Sequence, residues 1–506
     1  MRFFSLRLQN DAEDEFSPNM LNYIINLKNS QNYNKIIKIL VVFSILSLFF
    51  PIRHVFLTKE AYLTGSYSDF TSFSLYLSDI LIFLLALMVF LPRGGVRSLI
   101  VNRKLLIVNP LFWLILALLI VFLIHFGLNI RLNAYLLIKW LELIVAYGTF
   151  RLLFKQDSIK TLFLKLFAWL CGLESIIALV QFAKQSSIGL YRLGESHLAP
   201  NILGVAKIVS GETTFIRGYG TFPHPNPLSA FLVVGILITI YLLTLSENKK
   251  LATIYSILLF LNILGLTVTF SRGAYLALVA GLIIFFGLLF FRRHPDPERV
   301  HPSEGEGSQT PIKRSFTPRM HLGFRMTPVV VTAVSIIVTF FLFEPFLITR
   351  ATFSDQSTIA REFYDVTGVK MALKNPIFGL GLGESMLHMK QYSHKSLAPW
   401  DKQPPHNYFI IAAAELGLPA MLILVWVFLS HLWGLIKKLR TNKNFLLSPF
   451  SFLLISIFCT FLVLMMFDHY FYDLNQTQLL LWIFLALISS AIQNPSPRNG
   501  EGQGRG

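Results

Sequence analysis

The sequence predicts an all-α polytopic membrane protein with about 12 transmembrane helices and two larger extracytoplasmic loops. Three observations lead there. Of the 506 residues, 54% are apolar and only 14% are charged, against roughly 25% charge in an ordinary soluble domain. The apolar residues fall in long uninterrupted runs, and about 20 such residues suffice to cross a hydrocarbon layer of about 30 Å. The Lys and Arg residues, in turn, gather in alternate connections between those runs, as a cytoplasmic bias requires.

The runs place spans near 36–51, 74–92, 105–128, 132–154, 161–183, 222–245, 251–270, 274–291, 328–349, 406–436, 447–467 and 473–492. The first is short and carries Lys38. A polar tail over 1–35, acid-rich at 10–15, precedes it, so the first span reads as an uncleaved signal. Cys171 and Cys459 both lie inside spans and read as small apolar filler, which supports neither a disulfide frame nor a metal site.

One set of connections holds Arg93, Arg97, Arg103 and Lys104, then Arg151, Lys155 and Lys160, then Lys249 and Lys250, then Lys437, Lys438, Arg440 and Lys443. The basic, Pro/Gly/Ser-rich stretch 292–327 joins that set, while the alternate connections near 129–131 and 468–473 are poor in positive charge. Both termini are therefore expected in the cytoplasm. The net charge of +17 is then a topology signal with affinity for anionic membrane lipids, and nucleic acid is not an expected partner. Stretches 292–327 and 494–506 read as low in complexity and are not expected to carry function.

The two long connections on the opposite face, 184–221 and 350–405, mix aromatic and charged residues and are expected to fold onto the membrane surface. Arg272 sits in the turn Thr269-Phe270-Ser271-Arg272-Gly273 between two apolar spans. Ser271 is a suitable N-cap for the helix that follows, whose positive end suits an anion; the plainer reading is an arginine that anchors the hairpin by snorkelling. Arg217 precedes the span at 222–245, in a stretch with Gly218, Gly220, His224, Pro225 and Asn226, and alone it too would pass for a surface residue. Two such cations on one face suit a dianion such as pyrophosphate.

His406 follows Pro404 and Pro405 at the start of a helix, where a positive dipole end favours the neutral ring that a general base needs; an interfacial hydrogen-bonded histidine is the bland alternative. Glu415 lies nine residues on, and Gly417 and Pro419 beside it suggest a helix break that it could help to satisfy. Lys139 and Glu142, three apart, read as a structural pair. Glu174 has no local partner in the sequence, and His224, His388 and His394 have no assigned role. The glycine run 379–383 mimics a nucleotide fingerprint without the strand and helix context that would make it one.

In combination these residues resemble the O-antigen ligase and polymerase family of bacterial membrane glycosyltransferases. The resemblance rests on the stretch from Arg217 to Asn226, the turn Ser271-Arg272-Gly273, the loop with Arg361, Pro376, Gly379 and Gly381 that ends in His406-Asn407 and is followed by Glu415 and Gly417, and the late Asp468-His469-Tyr470. It covers about 200–475. It implies a donor glycan on undecaprenyl pyrophosphate at the outer face of the cytoplasmic membrane and a glycan, lipid A-core or protein hydroxyl as acceptor. Arg217 and Arg272 would hold the pyrophosphate and His406 would take the acceptor proton, with Asn226, Asn407, Glu415 and Arg361 in support. Cations that stabilise a leaving group can carry much of such catalysis, so an inverting, metal-independent and cofactor-free transfer is expected. Ligase, repeat-unit polymerase and protein O-oligosaccharyltransferase remain open, as does a polysaccharide-related transporter. A transporter, however, concentrates its polar groups at midplane on broken helices, and these residues gather at one face.

Overall fold

The computed structural model describes residues 31–90, 109–210, 212–291, 322–351, 356–393, 397–399 and 402–493. Most of the basic stretch 292–327, the tail 494–506 and His394 lie outside them. The chain is an all-α polytopic membrane protein. Its long helices are α1 (Gln31–Phe49), α2 (Leu77–Phe90), α3 (Pro110–Ile124), α4 (Ile130–Leu153), α5 (Asp157–Lys184), α6 (Pro225–Leu245) and α7 (Lys249–Val268). They continue with α8 (Arg272–Phe291), α9 (Leu322–Ala351), α10 (Gln356–Lys374), α11 (Tyr408–Leu416), α12 (Leu418–Thr441), α13 (Pro449–Phe467) and α14 (Asn475–Gln493).

Among the described residues nine helices are long and apolar enough to cross a membrane. The expected twelve are not reached on that measure for two physical reasons. The apolar helices α2 and α3 have only 14 and 15 residues, and α4, though 24 residues long, carries Arg131, Lys139, Glu142 and Arg151. The charges of α4 are accommodated by pairing: Lys139 meets both Asp79 of α2 and Glu142, the latter at 3.1 Å. A buried ammonium is tolerable in a low-dielectric interior only with such partners.

Helix starts follow local chemistry. The His224 ring accepts from the Asn226 N–H, with Pro225 at the first helical position of α6. Asn248 caps α7 and Ser448 caps α13. Each cap satisfies an N–H that the helix itself leaves open. Helices α6 and α14 form the centre of the bundle and are buried on nearly every side, whereas α9 lies at the periphery with a mostly exposed surface. Helix α8 packs along α13, α5 along α7, and α4 along α14.

Two antiparallel hairpins interrupt the helical pattern, β1 (Arg53–Phe56) with β2 (Phe73–Tyr76), and β3 (Lys207–Ser210) with β4 (Thr213–Ile216). The second lies in the expected 184–221 loop. The first belongs to a connection, 50–76, that hydropathy alone does not distinguish from a simple linker.

The single span read over 406–436 is divided between α11 and α12, as Gly417 and Pro419 suggest. Gly417 has φ +83°, and a Cβ there would lie 2.2 Å from the Ile377 carbonyl oxygen. No other residue fits both constraints. The 376–381 backbone crosses this break, with Leu418 N–H donating to the Pro376 carbonyl, Leu380 N–H to Ala414 and Gly381 N–H to Glu415. The glycine run is therefore a tight turn against α11, and the large loop is fastened to the bundle at its middle.

Candidate active site

Arg217 is positioned by α5. Gln181 accepts from the backbone N–H groups of Tyr219 and Gly220 and donates to the Gly220 carbonyl. Glu174, which has no partner by sequence, accepts from the Thr221 N–H at 2.8 Å and lies 2.9 Å from its hydroxyl. Arg217 is buried, not a surface cation as its position before a span suggests. Its Nε donates to the Thr269 carbonyl at 2.5 Å and its Nη2 to Asn226 Oδ1 at 2.8 Å. The first bond ties the guanidinium to the turn that carries Arg272, and the second to the start of α6.

That turn is strained. Phe270 adopts φ +46°, in the left-handed region that costs a bulky side chain roughly 1–3 kcal/mol and persists where surroundings enforce it. Its fully buried ring packs against Phe182, Phe343 and Phe346. Helix α8 starts at Arg272, whose Nη2 donates to Thr358 of α10 at 2.9 Å. Arg272 also stands at one end of an apolar groove between α7, α8 and α9, walled by Leu266, Leu278, Leu282, Ile336 and Phe340. Beside the groove α9 bends at Phe343, with Pro345 two residues on.

Asp468, just past α13, is the hub. Its Oδ2 accepts from Asn226 at 2.7 Å and faces Arg361 Nη2 at 3.5 Å. Asn226 thus links Arg217 to Asp468. Burial pushes the Asp468 carboxyl up, but the charge of Arg361 and the neighbouring rings of His469, His406 and His224 outweigh it, and the group is lowered to about 2. His469 Nδ1 binds Asp473 at 2.7 Å, and its Nε2 lies 3.7 Å from Asp468. Burial lowers its pKa while Asp473 and Asp468 raise it, with a net rise.

His406 lies beside this pair. Its ring is stacked on Tyr364 and set edge-on to His469, at centroid distances of 5.6 and 4.9 Å. Nδ1–H donates to the Pro404 carbonyl at 3.1 Å, so the lone pair sits on Nε2. Burial first, and then the His469 charge, lower its pKa to about 3. Burial and the neighbouring His469 thus favour the neutral ring. Asp365 of α10 accepts from the His406 backbone N–H and is raised by burial to about 6. His224 is lowered to about 3 by burial and Arg217.

Two supporting residues have structural bonds. Asn407 caps α11 by accepting from the Phe409 and Ile410 N–H groups and ties it to Met466. Glu415 accepts from Gly383, Ser385 and Tyr472, which clamps the glycine loop at a distance from His406. Asp468, His469, Asp365 and Tyr364 are the cluster members that the sequence did not single out as site residues. Only the adjacency of Asp468 and His469 between two spans signalled them. The donor atoms of His406, Asp468 and His469 lie within 4.8 Å of one another, close enough to share a metal ion. Arg361 already faces Asp468 at 3.5 Å, and its charge there opposes a further dication.

Residues 257–425 match the family model described as O-antigen ligase. The chain carries an O-antigen ligase domain. No curated protein matches the chain. The O-antigen ligase match covers a minority of the 506 residues and includes Arg272, Arg361, His406 and Glu415. Arg217 and Asn226 lie before it and Asp468 and His469 after it, so the cluster is assembled across its limits. The O-antigen ligase match and the apolar helices together support a multi-pass bacterial membrane enzyme of ligase or polymerase type, with glycan and lipid-linked substrates.

Proposed function

We propose that this protein transfers a glycan from undecaprenyl pyrophosphate to an acceptor hydroxyl at the outer face of the cytoplasmic membrane, in the assembly of lipopolysaccharide or another surface polysaccharide. The observation that carries the reading is the convergence of Arg217, Arg272 and a neutral His406 on one end of the bundle, with an apolar groove ending at Arg272. The groove suits a polyprenyl tail, which would leave the pyrophosphate beside the arginines. The Lys/Arg bias of the alternate connections supports cytoplasmic termini and hence an outward-facing site.

In this reading His406 Nε2 removes the proton as the acceptor oxygen attacks the anomeric carbon. The bond from that carbon to the phosphate oxygen breaks, its electron pair stays with undecaprenyl pyrophosphate, and attack opposite the leaving group inverts the centre. Arg217 and Arg272 stabilise the charge that grows on the leaving oxygen, a contribution of about 10²–10³ in rate for a single well-placed donor. Asp468 stabilises the imidazolium that forms on His406. The reaction as written needs neither metal nor cofactor.

The reading is tested by incubating purified protein in lipid with undecaprenyl-pyrophosphate oligosaccharide, first alone and then with lipid A-core. Growth on donor alone identifies a polymerase, and transfer only upon addition of lipid A-core identifies a ligase. His406→Ala is expected to lose transfer while inserting normally. Undiminished transfer by both His406→Ala and Arg272→Ala would overturn the site.

A further inference from the structure

Helix α10, in the 350–405 connection, is tied at both ends to the ends of spans on one side of the bundle. Near its start Thr358 accepts from Arg272, the first residue of α8, and Arg361 reaches the carbonyl of Phe467, the last residue of α13. Just past its end the Pro376 carbonyl accepts from the N–H of Leu418, the first residue of α12. All three attachments lie at the end of the bundle that carries the cluster. A helix of 19 residues is about 28 Å long, so α10 reaches across that face rather than into the bilayer.

Its two faces differ. Tyr364, Thr367, Met371 and Ala372 are buried, and the Tyr364 ring is the one stacked on His406. Gly368 packs so closely on α11 that a Cβ there would lie 2.5 Å from Pro405 and 2.7 Å from Ile410. The opposite face presents Ile359, Val366, Val369 and Leu373, the first 58% and the last 69% exposed. Glu362 interrupts this stripe, and Lys370 and Lys374 stand along its edge. A helix face turned to water carries polar residues, not four aliphatic ones in line.

The stripe runs at both ends into surface that a spanning helix turns to lipid. Beyond Leu373 come Ile377 and Phe378, also exposed, with their backbone against Gly417 at the head of α12. From there α12 bears Leu422, Trp426 and Leu429 on its exposed side. At the other end Thr358 meets Arg272, and α8 bears Leu276, Val279 and Ile283 on its exposed side. An apolar band that joins two lipid-facing helices has the same solvent as they do. The two lysines suit that setting, since their stems lie along hydrocarbon while the ammonium reaches a lipid phosphate.

We propose that α10 is an interfacial helix, its Ile359–Leu373 stripe seated in the acyl boundary of the leaflet on the cluster's side and Lys370 and Lys374 paired with phospholipid phosphate. The helix bears Thr358, Arg361, Tyr364 and Asp365, so the leaflet sets the height of the cluster over the bilayer. The proposal needs only the membrane architecture and stands apart from the transferase reading.

The test places a nitroxide on Val366→Cys or Leu373→Cys, in the full chain with Cys171→Ala and Cys459→Ala, reconstituted in phosphatidylethanolamine–phosphatidylglycerol vesicles. Leu429→Cys on the exposed side of α12 is the lipid reference, and Glu212→Cys in the exposed turn between β3 and β4 is the water reference. Oxygen, which partitions into hydrocarbon, should relax the labels at 366 and 373 as at 429. The ratio of oxygen to water-soluble nickel-chelate accessibility should stand several-fold above that at 212. A ratio like that at 212 would place the stripe in water and overturn the proposal. Low access to both reagents would mean that protein, such as a second copy of the chain, covers the stripe, and would overturn it equally. If the cysteine-free background fails to insert, Leu373→Trp in the otherwise unaltered protein decides. The emission it adds should be quenched by phospholipid brominated near the headgroup end of its chains and spared by iodide, and the reverse refutes the proposal.

Discussion

The two cavities that border the cluster are opposites. The groove between α7, α8 and α9 is walled by hydrocarbon and has one cation, Arg272, at its end; the cavity beneath the β1–β2 connection is walled by hydroxyls, carboxylates, an ammonium and aromatic rings. The groove is built largely on α8 and α9, whose surfaces are mostly exposed, and the cavity on α4 and folded connections. Under the proposed transfer the apolar groove serves the lipid-linked donor, whereas the cavity's Lys139 and Glu415 are held by partners within the protein. Arg272 and Arg361, through α10, and His469, through Asp473, bring the two together at Asp468.

The largest expected effect separates the two sides at Arg272. Arg272→Ala should reduce kcat by ~10²–10³ and leave the acceptor KM unaltered; a selective rise in acceptor KM would break the division. A smaller effect concerns pH. The His406 base stays neutral down to about 3, so no limb with an ordinary histidine midpoint should come from it. Asp365, raised to about 6, ionises as pH rises through that value and then accepts the His406 N–H fully. Activity should therefore fall roughly tenfold per unit below pH 6, and Asp365→Asn should flatten that limb. A limb that persists in Asp365→Asn would return the titration to a histidine.

Smaller again is Val279→Trp, which places a ring on the groove wall. It should raise KM for the undecaprenyl donor several-fold and spare a short-prenyl analogue, since each buried methylene contributes about 0.8 kcal/mol. Equal effects on both donors would mean the tail lies elsewhere. The mildest test concerns only the frame. Gly220 has φ +62°, and a Cβ would fall 2.2 Å from Glu174 Oε2. Gly220→Ala should destabilise the protein by about 1–3 kcal/mol, seen as a lower thermal midpoint in detergent, and loosen Arg217. An unchanged midpoint would show that the α5 anchors on this stretch are soft.

Much of the site was legible because its residues stand out against hydrocarbon. Arg217, Arg272 and His406 are conspicuous polar groups at the ends of apolar runs, and such positions need an explanation. Asp468 and His469 were legible only as neighbours, for nothing in their spacing tells that one binds Asn226, 242 positions earlier. Glu415 showed the opposite failure. Its depth in a span suggested function, and its bonds make it the clamp of the glycine loop.

The sequence by itself determined the all-α membrane architecture, the approximate position of each long apolar helix though not of α10 in the 350–405 connection, the break at Gly417 and the Lys139–Glu142 pair. These are local properties: hydropathy over one helix length, the conformations open to glycine and proline, and a spacing of three on one turn. Only the tertiary structure decided which helices are central, that Glu174 and Gln181 hold the Arg217 stretch, and that Asn226, Arg361 and His469 meet at one aspartate. Those depend on contacts between distant segments, set by how side-chain shapes and buried polar groups match across helices, and no local pattern encodes them.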